Sequence, residues 1–165
     1  KALYVYTDYH KRHDRALRGL KYRVAKGDLG EILHGHAWIE EKKEMPLKNF
    51  AVWAKESSSF EYIGVHYADI YYFVTGLIPK RVIGFAQKKY LPTQGKDVYD
   101  AVEATIEWEN GSVCWIQTNW ILPQSTTSLT NAGAAYFVLF DASETDNAGI
   151  AGRTDNYGVR AIRQF

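Results

Sequence analysis

The 165-residue chain holds one cysteine, Cys114, along with one methionine and four prolines. A lone thiol cannot close an internal disulfide, which fits a reducing, cytoplasmic setting. Its place in an apolar strand pattern marks Cys114 as buried packing rather than a nucleophile. No segment reaches the roughly 18 consecutive apolar residues that a membrane helix needs, and no signal-peptide pattern is present. A net charge of +1 leaves no basic footprint for nucleic acid or an anionic membrane. There is no Gly-x-Gly-x-x-Gly and no P-loop, so neither of these nucleotide-phosphate cradles occurs in the chain. His34 and His36 alternate onto one face of a strand, a spacing that suits a metal, but no third ligand lies nearby and no metal site is expected.

What is present is a globular composition, 46% hydrophobic and 24% charged, in a chain of a length suited to a single domain over 1–165. Its 12 tyrosines and 5 tryptophans favour strands and ligand-lining surfaces over an all-helical bundle. Residues 2–9 read as a strand, and Asp14 as the N-cap of a helix over about 15–26 that ends at Gly27. A second strand spans about 31–41. Residues 42–57 contain proline and keep no period, so they read as a long connection of the kind that borders sites. Strands follow at about 81–90, 98–108 and 112–122, with Asn110-Gly111 as a hairpin signal between the last two. Tyr136 to Phe140 is a further short strand, the stretch from Asp141 is turn-rich, and Val159 to Phe165 is either an edge strand or disordered.

The organising element is the stretch 58–76. Ser58 and Glu61 make a capping-box signature at its start, and Gly76 marks its end. At 100° per residue, Phe60, Ile63, Tyr67, Ile70 and Val74 form a core-facing stripe. Tyr62, His66, Asp69 and Phe73 fall in a second band, with phenol, imidazole and carboxylate one turn apart. That band reads either as chemistry or as a hydrogen-bonded His66–Asp69 pair tying the helix to a neighbour. On the strand 98–108, Val98, Val102, Ala104, Ile106 and Trp108 share one side, and Tyr99, Glu103, Thr105 and Glu107 the other. The expected architecture is α+β, helices packed on one face of a largely antiparallel, open-faced sheet. A bare sheet face predicts self-association as a homo-oligomer.

The string from Gly64 to Val82, GVHYADIYYFVTGLIPKRV, resembles the Gly-x-His-x-x-Asp helix of the glucose-fructose oxidoreductase and inositol dehydrogenase (Gfo/Idh/MocA) family. The resemblance begins at Tyr9-His10-Lys11-Arg12-His13-Asp14, includes Gly27-Asp28-Leu29-Gly30-Glu31-Ile32, and extends to Asn119-Trp120-Ile121, covering about residues 3–122. Residues 123–165 depart from the family pattern as an atypical tail. The resemblance implies the family's second domain, the substrate-binding and oligomerisation half of a nicotinamide-dependent oxidoreductase acting on a sugar or polyol. It implies NAD or NADP in the parent enzyme, held by an N-terminal Rossmann domain with its catalytic lysine. Both are missing from this sequence, so the chain alone is expected to bind no cofactor and to be inactive.

His66 falls on the family's catalytic histidine, and an imidazole suits removal of a hydroxyl proton because its pKa lies near working pH. Asp69 holds that imidazole in one tautomer, or else caps locally or bridges to Arg81. Four residues before His66 the family carries Asp, where this chain has Tyr62; a phenol can relay a proton but is a poorer base. His10 and Lys11 fall in a family stretch that contributes to the substrate pocket, or form a solvated basic turn, while Arg12 and Asp14 hold local structure. Trp53 and Lys55, in the long connection, are further substrate-binding candidates, a ring for a sugar's apolar face and an ammonium for its hydroxyls. The alternative to the enzyme is a non-catalytic assembly or ligand-binding module that keeps the fold.

Overall fold

Asp14 opens the first regular element. Its carboxylate accepts hydrogen bonds from the backbone N–H groups of Ala16 and Leu17, and helix α1 (Arg15–Lys26) runs from there to Gly27. The structure is a computed structural model that describes residues 3–122 in full and the backbone alone of residues 135–141, 151–154 and 157–160. Strand β1 (Ile32–Lys42) follows. The connection after it contains only a π-helical turn, Met45–Asn49, and a 3-10 turn, Ala54–Glu56.

The stretch expected as one helix has two parts, a π-helical turn at Phe60–Gly64 and helix α2 (Val65–Thr75). Ser58 Oγ accepts from the Glu61 N–H at 3.2 Å, and Ser59 Oγ pairs with Thr118 Oγ1 at 2.9 Å, which pins the start of the helix to the sheet. At the other end Gly76 takes φ 74°, a left-handed conformation that costs glycine little, and its N–H closes on Tyr72 O.

The remaining elements are β2 (Pro79–Gln87), the short helix α3 (Tyr90–Thr93), β3 (Ala101–Trp108), β4 (Val113–Leu122), β5 (Ala135–Asp141), β6 (Ala151–Thr154) and β7 (Tyr157–Arg160). They form one sheet in the order β2-β3-β4-β1-β5-β7-β6. Four of its six pairings are antiparallel; β1–β4 and β5–β7 are parallel. The α+β architecture agrees with the expectation. The hairpin at Asn110-Gly111 forms as expected, with the Trp108 N–H bonded to Ser112 O and the Asn110 side chain accepting from the Ser112 N–H.

Some boundaries move for a local reason. The buried Asp100 carboxylate accepts from the N–H groups of Lys89, Tyr90 and Leu91 at 2.5, 2.6 and 2.7 Å. Those bonds wind residues 90–93 into α3, so the strand expected at 81–90 stops at Gln87 and that expected from 98 starts at Ala101. The strand expected at residues 2–9 does not form over the described residues 3–9, which are irregular, and Tyr4 is 96% exposed. Strand propensity needs a neighbouring strand to bond to, and none lies beside them among the described residues. The strand expected at Tyr136 to Phe140 lies within β5, and β6 forms inside the stretch read as turns. Of the segment Val159 to Phe165, β7 includes residues through Arg160; the other residues lie outside those described.

Helices α1 and α2 cover one face of the sheet. Leu17, Tyr67, Ile70, Tyr71 and Val74 pack there against Ala37, Ile39, Ile106, Trp108, Cys114 and Ile116. The stripe read from the helix period is this face. The alternation read along 98–108 also holds, since Ala104, Ile106 and Trp108 are buried on it. A second cluster, Leu91, Val98 and Trp120, gathers Phe50 and Tyr62 beside it. The opposite sheet face carries His36, Trp38, Thr105 and Trp115, and Ile83 and Phe85 continue it onto β2. Helices leave that face bare, and β2 is exposed along its length. Among the described residues no helix is long and apolar enough to cross a membrane.

Candidate functional site

The site is built where the N-terminal turn meets the second stripe of α2. The 3-10 turn His10–His13 is held by a bond from the Asp14 N–H to Lys11 O. From it Arg12 reaches across to Asp69, its Nε lying 3.1 and 2.9 Å from the two carboxylate oxygens, and its terminal nitrogen also bonds Oδ1. The guanidinium carbon lies 5.4 Å from the Tyr9 ring centre, 5.9 Å from Tyr72 and 5.7 Å from Phe73. A fork on a carboxylate with aromatic faces around it is the geometry arginine suits best. Asp69 is therefore joined to Arg12 rather than to the His66 imidazole or to Arg81, which pairs instead with Glu107.

One turn before Asp69, His66 is half-buried. Its ring meets His10 edge-on at 5.1 Å between centres and Tyr9 at 5.9 Å. Its Nδ1 is buried with no hydrogen-bond partner among the described residues. Burial pushes its pKa below the ordinary histidine value, and His10 and Lys11 push the same way while Asp69 and Asp8 oppose. A neutral imidazole at working pH can accept a proton. His10, Lys11 and His66 are thus brought together by the fold.

Tyr62 points elsewhere. Its ring packs at 4.7 Å from Phe50, 6.2 Å from Trp53 and 6.4 Å from Trp120. Burial, and then the nearby Glu41, raise its pKa, so the phenol stays neutral. Trp53 belongs to the same aromatic cluster, 4.2 Å from Phe50. Lys55 lines a different hollow, an open groove of about 470 Å³ bordered by Ser58, Glu61, Phe85, Tyr99 and Val102. His10, Tyr62 and His66 do not line it.

Glu41 escaped the sequence reading, and so did the partner of Arg12. Glu41 follows Ala37 and Ile39 at strand period onto the covered face, where its carboxylate accepts from the Trp120 indole N–H at 2.7 Å. Burial raises its pKa. A carboxylate in phase with buried residues was the available signal. Arg12 had no such signal, because its partner lies 57 residues away. On the bare face His36 stacks against Trp38 at 4.8 Å and Trp115 at 4.1 Å, with its Nε2 buried and unbonded. No three His, Cys, Asp or Glu side chains converge on a metal position among the described residues.

None of the curated proteins matches the chain. Among solved structures, myo-inositol 2-dehydrogenase from Lactobacillus plantarum superposes with TM-score 0.66 at 16% identity, over 96% of this chain and 48% of that one. Scyllo-inositol dehydrogenase from Lactobacillus casei, solved with bound NAD(H) and scyllo-inositol, gives 0.59 at 14% identity over 95% and 47%. An inositol dehydrogenase homologue from Azotobacter vinelandii, complexed with NADH and myo-inositol, gives 0.59 at 15% over 73% and 31%. At these identities the likeness shows the fold, and the chain spans about half or less of each of these structures. Residues 17–135 match the GFO/IDH/MocA C-terminal domain, most of the length of this sequence, and the chain belongs to that family.

Proposed function

We propose that this chain is the substrate-binding and oligomerisation part of a nicotinamide-dependent oxidoreductase acting on a sugar or polyol, with His66 as the base that takes the substrate's hydroxyl proton. The observation that carries this reading is the half-buried His66 ring, its pKa lowered toward the neutral form, set against His10 and Tyr9 on the helix that anchors the family fold. His10 and Lys11, on the turn facing that ring, are the groups nearest a substrate bound there. Trp53 and Tyr62 lie in a separate aromatic cluster and Lys55 in a separate groove, so none of the three is assigned to the substrate held at His66. Asp69 supports the site through Arg12.

No glycine-rich phosphate cradle exists in this sequence, so its residues do not fit a nicotinamide cofactor. NAD or NADP, which accepts the hydride when bound, belongs with the remainder of the parent protein, and the chain alone is inactive. The bare sheet face, with Ile83 and Phe85 exposed and His36 between two tryptophans, supports a homo-oligomer formed through it.

The test is His66→Ala in the full-length parent. Loss of a general base lowers kcat by roughly 10²–10⁴-fold, and unchanged turnover overturns the enzyme reading. The second reading, a non-catalytic ligand-binding or assembly module, is favoured by one observation: the 470 Å³ groove excludes His10, Tyr62 and His66. Unchanged turnover, together with ligand binding that is lost on Phe85→Glu, supports it.

A further inference from the structure

The N-terminal turn covers one side of the His66 ring. Tyr9 and His10 both meet that ring edge-on, at 5.9 and 5.1 Å between centres, and its Nδ1 is enclosed without a hydrogen-bond partner among the described residues. Packing does not hold the turn from its N-terminal side, because residues 3–8 are exposed throughout. Arg12 supplies a hold. Its backbone N–H closes the turn on Tyr9 O at 3.0 Å, and its guanidinium carbon lies 5.4 Å from the Tyr9 ring centre. The same guanidinium forks onto Asp69, one turn after His66 on α2, whose side chain is 8% exposed. Tyr9 is therefore a neighbour of both the arginine and the imidazole. An exposed ion pair would hold little, but a forked pair whose carboxylate is this enclosed is costly to part.

We propose that Arg12 is a positioning residue: by gripping Asp69 it holds Tyr9 and His10 against His66 and keeps that imidazole enclosed and ready to accept a proton. The inference rests on the reading of His66 as the base. Arg12 is spent on Asp69, so it acts through the turn rather than on a substrate. Burial is the largest influence holding the His66 pKa below its ordinary value. His10 and Lys11 on the turn push the same way, while Asp69 on the helix and Asp8 on the N-terminal segment oppose. A turn that swings away removes part of that burial together with His10 and Lys11, and it leaves the Asp69 carboxylate unpaired on the helix. Of these changes only the loss of Asp8 would lower the His66 pKa; the others raise it. An imidazole already protonated at working pH cannot take the substrate's proton. Asp69 thus serves the imidazole by anchoring its cover.

NMR titration of His66 in the 165-residue chain reads the cover directly. In Arg12→Ala the His66 midpoint moves up. Freeing Asp69 alone would also raise it, so the deciding variant is Arg12→Ala combined with Asp69→Asn, which carries neither charge and strands no partner if the single change fails to fold. Losing the Asp69 charge lowers the midpoint and losing the cover raises it, so a midpoint above that of the parent sequence supports the proposal. A midpoint at or below it overturns the proposal. Arg12→Lys keeps the charge without the fork and should titrate like Arg12→Ala; a midpoint unchanged from the parent sequence would overturn the role of the fork. In the full-length parent, Arg12→Ala moves the acid limb of kcat/KM to higher pH, with turnover regained above it, whereas a merely structural loss lowers turnover alike at every pH. A limb that stays in place, with His66→Ala still inactive, overturns the positioning role alone. Turnover that survives His66→Ala sinks the base assignment and the positioning role together.

Discussion

The Arg12 guanidinium grips the Asp69 carboxylate across 57 residues of sequence, joining the N-terminal turn to α2. The Asp69 side chain is only 8% exposed, so the charge it carries is largely removed from water. Removing one partner of such a pair strands the other. Arg12→Ala is expected to cost roughly 1–3 kcal/mol by urea denaturation. Arg12→Lys is expected to recover little of it, because an ammonium cannot fork. The double variant with Asp69→Asn should lose less than the two single changes added together; strict additivity would show that the pair contributes nothing.

Gly35 sits in the middle of β1 because a ring occupies the space its side chain would fill. A Cβ there would lie 2.5 and 2.8 Å from the Tyr71 ring and 3.3 Å from Cys114 Sγ. Tyr71 has no room to yield. It stacks on Trp108 at 4.7 Å, and its hydroxyl donates to Ser112 at 2.9 Å. Gly35→Ala therefore overpacks the core and should destabilise the chain by about 1–3 kcal/mol. A melting temperature equal to that of the parent sequence would refute this account of the strand.

Cys114 is enclosed by the same core, and burial pushes its thiol pKa up to about 12. The reactive thiolate is then scarce at neutral pH. An aromatic disulfide reagent should leave the native chain unmodified over hours and label one thiol per chain once denaturant is added. Rapid labelling of the native form would place the thiol at the surface.

His36 and His66 both have pKa values lowered by burial. The unfolded chain therefore binds protons more readily than the folded one, between the lowered native values and the ordinary value near 6.5. Their contribution to stability is present above that ordinary value and is lost as the pH falls through the native pKa values. Urea midpoints should drop on acidification across this window. The drop should be smaller in His36→Gln, compared at each pH so that the carboxylates cancel. An identical pH dependence in the two proteins would mean that His36 is not shielded from water by its two tryptophans.

Local features of the site were readable because the signals that carry them span only a few residues. Asp14 as a cap, Gly27 and Gly76 as stops, and the stripe of Tyr67, Ile70 and Val74 follow from helix geometry alone. The band of Tyr62, His66 and Asp69 was equally readable as a band, but the partners of its members were not. Tyr62 went to an aromatic cluster built from the long connection and β4, and Asp69 to an arginine on the opening turn. Glu41 was legible only as a carboxylate in phase with buried residues; nothing near it in the chain names Trp120 as its donor.

The sequence by itself determined the cap and the stop of α1, the stop of α2, which strand residues alternate inward, where the hairpin turns, and that no glycine-rich nucleotide cradle is present. Only the tertiary structure decided that β1 lies parallel to β4, that residues 3–9 pair with no strand among those described, and that His10 faces His66. Capping and periodicity act over three or four residues and can be satisfied within one segment. Which surfaces meet depends on the closure of the whole core, and that choice is made by burial shared among segments far apart in the chain.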